Sequence, residues 1–244
     1  MLTIAQLNSY IYVRAPGLRR KCQRLYERFH YLFIESLSRD EQLELAFFFE
    51  GAEATRADHG LIRREDKGTD RGKDDVKWFL HVRAWELEER QLPALFGSKL
   101  NRIASAHKWW PKFLRWNEDA TNLCKEVYVR LEEFVTRIEG SYPEFGLLEQ
   151  LRKPEAMRKH VLRLLHYDPQ PVGAILASRH NDFSLLTLDL LTTEPGLWVK
   201  ADPKAEIEES DFVSDKRGHV VGFFGRKAEE VTSGRIKGMC HGVI

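Results

Sequence analysis

The chain has 244 residues, 43% hydrophobic and 31% charged, a globular composition that excludes wholesale disorder. Lys+Arg (38) nearly balance Asp+Glu (37) for a net charge of +1, which argues against a broad basic footprint for nucleic acid. No apolar run approaches the ~18 residues needed to span a bilayer, and the N-terminus does not read as a secretory signal. Three widely spaced cysteines, Cys22, Cys124 and Cys240, suit a reducing compartment better than a disulfide frame, so a cytoplasmic protein is the expectation.

The first half reads as mainly helical. From Leu18, apolar residues recur at Cys22, Leu25, Tyr26, Phe29, Phe33 and Leu37, steps of three and four that make one helix face. Arg19, Arg20, Lys21, Arg24 and Arg28 occupy the other face; a solvated face is the favoured reading over a phosphate contact. Ser38 and Glu41 fit a capping box for a second helix ending at Gly51. Residues 53–77 are polar and glycine-punctuated, a solvated connector or a mobile cover over a site. Trp109, Trp110, Phe113 and Trp116 cluster around Pro111, where packing at a helix start is favoured over a pocket lining. Ala120, Leu123, Cys124, Val127, Leu131, Phe134, Val135 and Ile138 keep helical spacing up to Gly140.

The period then changes. Residues 160–167, 172–177, 185–191, 196–199, 211–214, 220–224 and 235–241 are short strand candidates separated by turn residues, the pattern of a β-sandwich or barrel. The layout is helices in 1–155 and a β-core in 156–244.

Within that core stand His180, Asn181 and Asp182. Residues i and i+2 of a strand point to one side, so an imidazole and a carboxylate converge. One more imidazole from a facing strand, best supplied by His241, completes a two-His-one-carboxylate triad that holds Fe(II) on one face and leaves the other positions open. His-x-Asp by itself is a weak signal, and His166-Tyr167-Asp168 is a second copy. There Asp168 precedes Pro169 and reads as a turn residue, and His166 as an ordinary strand residue. His219 is a rival third ligand, but Gly218 before it suggests a turn. His30, His59, His81, His107 and His160 have no partner at ligand spacing.

The flanking residues separate the copies. His180-Asn-Asp-Phe-Ser-Leu-Leu-Thr-Leu is followed by Gly196-Leu-Trp-Val and by Thr232-Ser-Gly-Arg-Ile-Lys-Gly-Met-Cys-His241. In this order the segments resemble the isopenicillin N synthase-like branch of the 2-oxoglutarate- and Fe(II)-dependent dioxygenases. Leu162-Arg-Leu-Leu-His-Tyr-Asp-Pro169 is similar to that branch's tyrosine-rich strand, and Asp70-Arg-Gly-Lys-Asp-Asp-Val-Lys-Trp-Phe79 loosely to its Asp-x-Lys-Glu-x-Phe segment. The resemblance implies an α+β protein: a double-stranded β-helix, or jelly roll, in the C-terminal half with the N-terminal helices packed outside. It implies His180, Asp182 and His241 as iron ligands, Tyr167 near the cosubstrate, and no catalytic residue beyond the ligands. The implied reaction consumes 2-oxoglutarate and O2, releases succinate and carbon dioxide and oxidises a C–H bond of a small-molecule substrate, without membrane or nucleic-acid partner.

The chain also departs from the branch. Asn181 stands where Thr is common, Ser184 and Gly242 where Gly and Arg are frequent, and Arg226 and Lys227 lie near a segment that usually holds an acidic residue. The branch grips the far carboxylate of 2-oxoglutarate with an Arg-x-Ser motif about one strand beyond the distal His, whereas Gly242, Val243 and Ile244 follow His241 here. The expectations are therefore an absent closing strand and weak 2-oxoglutarate binding, with neither Arg179 nor Arg235 a convincing substitute. The alternative is an impaired or truncated relative that binds metal or a partner without turnover.

Overall fold

In a computed structural model, residues 2–35, 62–65, 77–82, 110–167, 169–192 and 194–244 are described. The chain opens with a one-turn helix, α1 (Ile4–Leu7), whose Thr3 and Gln6 form a reciprocal capping box. It continues into β1 (Ile11–Arg14), then α2 (Leu18–Phe29), which runs into a π-helical stretch, His30–Glu35. The apolar face expected on α2 is buried at Leu18, Cys22, Leu25 and Phe29. The second helix, ending at Gly51, the parts of the expected loop over 53–61 and 66–76, and the side chains of His59, His81, His107, Trp109, Trp110 and Phe113 lie outside the described residues, as does Asp168; within that expected loop, residues 62–65 are a strand instead.

Strands β2 (Ile62–Glu65), β3 (Lys77–Val82) and β4 (Leu162–Tyr167) form one antiparallel sheet in the order β2-β3-β4. Between β3 and β4 come the long helix α3 (Trp110–Glu139) and the short helices α4 (Leu147–Arg152) and α5 (Pro154–Lys159). Trp116, fully buried, donates from Nε1 to the Leu25 carbonyl at 3.0 Å and lies 6.1 Å from the Phe29 ring. That residue therefore packs α3 on α2, as the sequence favoured.

The remaining strands are β5 (Ala177–Asn181), β6 (Leu186–Asp189), β7 (Leu197–Lys200), β8 (His219–Phe224) and β9 (Cys240–Val243), with a one-turn helix α6 (Arg226–Val231) after β8. They build two antiparallel three-stranded sheets, β5-β9-β7 and β1-β8-β6. Strand alternation divides the second sheet into two faces. Ile11, Leu186, Leu188 and Phe224 pack with Leu131, Phe134, Val135 and Ile138 of α3. Val221 and Phe223 turn the other way and meet Leu197, Val199 and Met239 of the first sheet. The layers are thus helix, sheet, sheet, and the space between the two sheets is where the site lies.

Several sequence expectations are corrected, among them the strand over 172–177: residues 172–173 make a turn and β5 begins only at Ala177. The first half is not purely helical near its start: β1 pairs with β8 from Ile11↔Gly222 to Arg14↔His219. Residues 211–214 form no strand; Phe212 makes a single bridge to Trp198 after a 3₁₀ turn. The last strand starts at Cys240 rather than Arg235, because the backbone N–H groups of Ile236, Lys237 and Gly238 donate to the side chains of Thr232, Asn8 and Glu229 rather than to a neighbouring strand.

Candidate metal centre

His180 and His241 stand opposite each other in the β5–β9 ladder, and Val199 of β7 completes the row. A β-bulge produces this. Ala177 faces Val243, but His180 faces His241, so β5 spends one residue more than β9 over the same stretch. From Ala177 to His180 is an odd step and from Val243 to His241 an even one; strict alternation would turn the two imidazoles to opposite faces. The extra residue re-aims His180 into the inter-sheet space, a common use of bulges beside functional sites.

Asp182 follows β5 directly. Its Oδ1 lies 3.9 Å from Nε2 of His180 and 3.9 Å from Nε2 of His241, and one donor atom from each of the three residues lies within 4.8 Å of the others. Two ligands held ~2.1 Å from one ion are at most ~4.2 Å apart, so a single ion can bridge Asp182 to either ring. The sequence thus located the three residues that converge. His166 does not join them: its Nδ1 meets the Tyr26 hydroxyl at 3.3 Å and its ring lies 4.9 Å from His30, on the α2 side of β4. His219 starts β8 with Nδ1 near the Arg217 carbonyl.

The donor set fits a divalent transition metal. His180 donates from Nδ1 to the Ser178 carbonyl at 2.7 Å, which leaves the Nε2 lone pair free toward Asp182. His241 does not repeat the pattern: its Nδ1 is buried without a hydrogen-bond partner among the described residues. Burial pushes the pKa of His241 down to about 4, against the pull of Asp182 and with help from His180. The imidazole is therefore neutral near neutral pH, the ligand form. Phe223 of the facing sheet packs 4.6 Å from the His241 ring and His180 4.2 Å from it, so His241 is enclosed while His180, 41% exposed in its side chain, forms the open side.

The Asp182 turn is held from behind. The backbone N–H groups of Gly225, Arg226 and Lys227 donate to the carbonyls of Leu185, Asp182 and Ser184 at 3.2, 2.8 and 3.1 Å. A Cβ at position 225 would come within 2.3 Å of the Ser184 carbonyl oxygen, so this close approach requires glycine. Asn181 donates from Nδ2 to the Gly238 carbonyl at 2.7 Å, tying the other side of the turn to the start of β9. Sequence reasoning missed the inward-facing Thr187, although its signal is legible: a polar residue between Leu186 and Leu188 points opposite to both. Its hydroxyl donates to Oδ2 of Asp182.

Other expected residues lie elsewhere. Arg179 reaches the carbonyls of Pro203 and Ala205 and covers the Trp198 ring on the outer face. Arg235 pairs with Glu144 at 2.5 Å over the Phe145 ring. Tyr167 ends β4 opposite Lys77 and, by alternation, faces away from the side His166 presents to α2. Gly242, where the resembled branch often has Arg, lies under Trp198: a Cβ there would sit 2.9 Å from the indole and 2.8 Å from the Ala177 carbonyl oxygen.

Among the described residues, no helix is long and apolar enough to cross a membrane. Solved structures are similar over nearly the whole chain. A 2OG-Fe(II) oxygenase family protein from Caulobacter crescentus aligns with a TM-score of 0.65 and 20% identity, covering 99% of this chain and 74% of that one. A full-length Neurospora crassa protein in complex with alpha-KG aligns with a TM-score of 0.65 and 17% identity, over 99% and 69% of the respective chains; it is also solved with alpha-KG and thymine. JOX2, in complex with 2OG, Fe and JA, aligns with a TM-score of 0.55 and 14% identity over 99% and 65%. Neither a protein-family model nor a curated protein sequence matches the chain. The chain has the fold of these oxygenases.

Proposed function

We propose that this protein is a non-haem Fe(II)-dependent oxygenase that uses 2-oxoglutarate and O2 to oxidise a small-molecule substrate. The observation that carries the reading is the convergence of His180, Asp182 and His241 on one point, in a fold shared with 2OG-Fe(II) oxygenases. Two neutral imidazoles and one carboxylate suit Fe(II) and leave the remaining positions for exchangeable reagents. Bound Fe(II), with a 2-oxo acid and O2, supplies the oxidising power for C–H chemistry.

The chain's own residues do the rest. Asp182 contributes the negative charge, the Ser178 carbonyl orients the His180 ring, and packing against Phe223 orients the His241 ring. Phe223 and Val199 keep water from the inner side of His241, and the exposed side of His180 is the approach for reagents. Tyr167 is assigned to the cosubstrate from its match to the tyrosine-rich strand of the resembled branch, with packing on the barrel as the alternative.

The jelly-roll reading rests on the winding. Successive strands β5, β6, β7, β8 and β9 alternate between the two facing sheets. In that alternation the next strand would join the β6 edge of β1-β8-β6, the place of the closing strand whose absence is expected from the sequence. The isopenicillin N synthase-like assignment rests on the ordered segments around His180, Gly196 and His241, and the division at 155/156 on the change of hydrophobic period there.

Anaerobic titration tests the reading. Fe(II) binding followed by a visible charge-transfer band on adding 2-oxoglutarate, and succinate formation in air, are expected. Metal binding with neither band nor succinate supports the alternative of a relative without turnover. Equal metal binding by wild type and Asp182→Ala overturns both.

A further inference from the structure

We propose that Thr187 and Ser184 are positioning residues that decide which oxygen of Asp182 faces the metal. This rests on the metal-centre reading above and goes beyond the three ligands. Asp182 has two oxygens with different surroundings. Oδ1 lies 3.9 Å from Nε2 of each histidine, whereas Oδ2 accepts a hydrogen bond from Thr187 Oγ1.

The direction of the network follows from counting hydrogens. A carboxylate only accepts, so the Thr187 hydroxyl is the donor to Oδ2, and a hydroxyl has one hydrogen to give. Ser184 Oγ lies 3.0 Å from Thr187 Oγ1; with the Thr187 hydrogen already used, Ser184 must donate and Thr187 accept. The relay runs Ser184 to Thr187 to Asp182. Charge-assisted hydrogen bonds of the last kind are the strong ones.

Both ends of the relay are anchored. Thr187 sits within β6, paired with Phe223, whose ring packs on His241. Ser184 is fixed through its own carbonyl, which accepts from the Lys227 N–H at 3.1 Å, and by the close approach of Gly225, where a Cβ would stand 2.7 Å from the Ser184 hydroxyl oxygen. The carboxylate thus hangs between the sheets: its ligand atom turns to the two histidines of β5 and β9, and its other atom is tied to β6. Occupying Oδ2 in this way favours one-oxygen ligation by Asp182, which keeps a further coordination position open.

Co(II) alone, a spectroscopic probe, tests this in the full chain with wild type, Thr187→Val, Thr187→Ser and Ser184→Ala. Outer hydrogen-bond partners of metal ligands are typically worth about 10–100-fold in metal affinity. Thr187→Val is expected to weaken Co(II) binding by that factor and to alter the intensity of the visible d–d bands, as the freed Oδ2 joins the ligation. Thr187→Ser is expected to restore both affinity and spectrum, which a purely packing role for the methyl group would not allow. Ser184→Ala should weaken binding in the same direction by a smaller factor. If Thr187→Val does not fold, judged by far-UV circular dichroism of the apo protein, Ser184→Ala carries the test. Wild-type affinity and spectrum in folded Thr187→Val, or in Ser184→Ala where that variant carries the test, overturn the relay while leaving the metal centre intact. Failure of wild type itself to bind Co(II) overturns the metal centre and the relay with it.

Discussion

His180 and His241 are direct cross-strand partners with ring centroids 4.2 Å apart, and they share a face because β5 carries one residue more than β9 between Ala177 and His180. Directly opposed residues on one face of an antiparallel pair stand close enough for their side chains to act on a common point. Asp182 then needs only to turn inward at the end of β5 to close the triangle.

A divalent metal should therefore stabilise the fold. At 100-fold excess over its dissociation constant, a ligand of the native state adds about 2.7 kcal/mol, or roughly 5–10 °C in Tm for a chain of this length. Thermal melts with and without Fe(II) or Co(II) are expected to show this for wild type and to show little of it for Asp182→Ala and His241→Ala. Equal shifts in all three proteins would refute the site.

Gly242 should not tolerate a side chain. A Cβ would stand 2.9 Å from Trp198 and 2.8 Å from a backbone oxygen, and Trp198 is 3% exposed with no room to retreat. Overpacking of this kind typically costs about 1–3 kcal/mol. Gly242→Ala should lower the urea midpoint accordingly, and Gly242→Ala,Trp198→Phe should recover part of the loss.

Glu229 should make stability depend on pH at the acid end. Its carboxylate accepts from the Gly238 N–H at 3.1 Å and from Lys237 Nζ at 3.2 Å. The backbone donor first, and then Lys237, hold its pKa below the usual carboxylate value against the effect of burial. A carboxyl with a depressed folded-state pKa contributes stability above its unfolded pKa, and that contribution disappears as pH falls through the folded value. Tm measured from pH 7 downward should show Glu229→Gln less stable than wild type at neutral pH. The two curves should start to approach each other below about pH 4, where the unfolded carboxyl protonates, and meet only once pH has fallen below the lowered folded-state value.

Arg179 and Arg235 should be silent toward 2-oxoglutarate. Arg179 is engaged on the outer face over Trp198 and Arg235 with Glu144, so neither can supply the bidentate fork a distal carboxylate takes. Titrating metal-loaded Arg179→Ala and Arg235→Ala with 2-oxoglutarate should reproduce the wild-type curve. A tenfold loss in either would place that guanidinium at the site after all.

The identity of the three converging residues was legible in the sequence from the order of the segments that carry His180-x-Asp182 and the distal His241, although the alternation argument was not what brought them together: Asp182 follows β5, and a bulge re-aims His180. The long helix ending at Gly140 was legible too, since its apolar residues repeat at the helical period and are buried at Ala120, Leu123, Leu131, Val135 and Ile138. Periodicity reports only on a residue's own element. It could not foresee the bulge before His180, because a one-residue shift in register arises from hydrogen bonds to a strand far along the chain. For the same reason it missed that β1 joins β8, and that 235–239 is not part of the last strand. The Ser184–Thr187–Asp182 relay also escaped it. Those hydroxyls gain their partners only when the Asp182 turn docks between β6 and the start of α6. The sequence by itself determined which groups can bind a metal; the tertiary structure decided which way each of them faces.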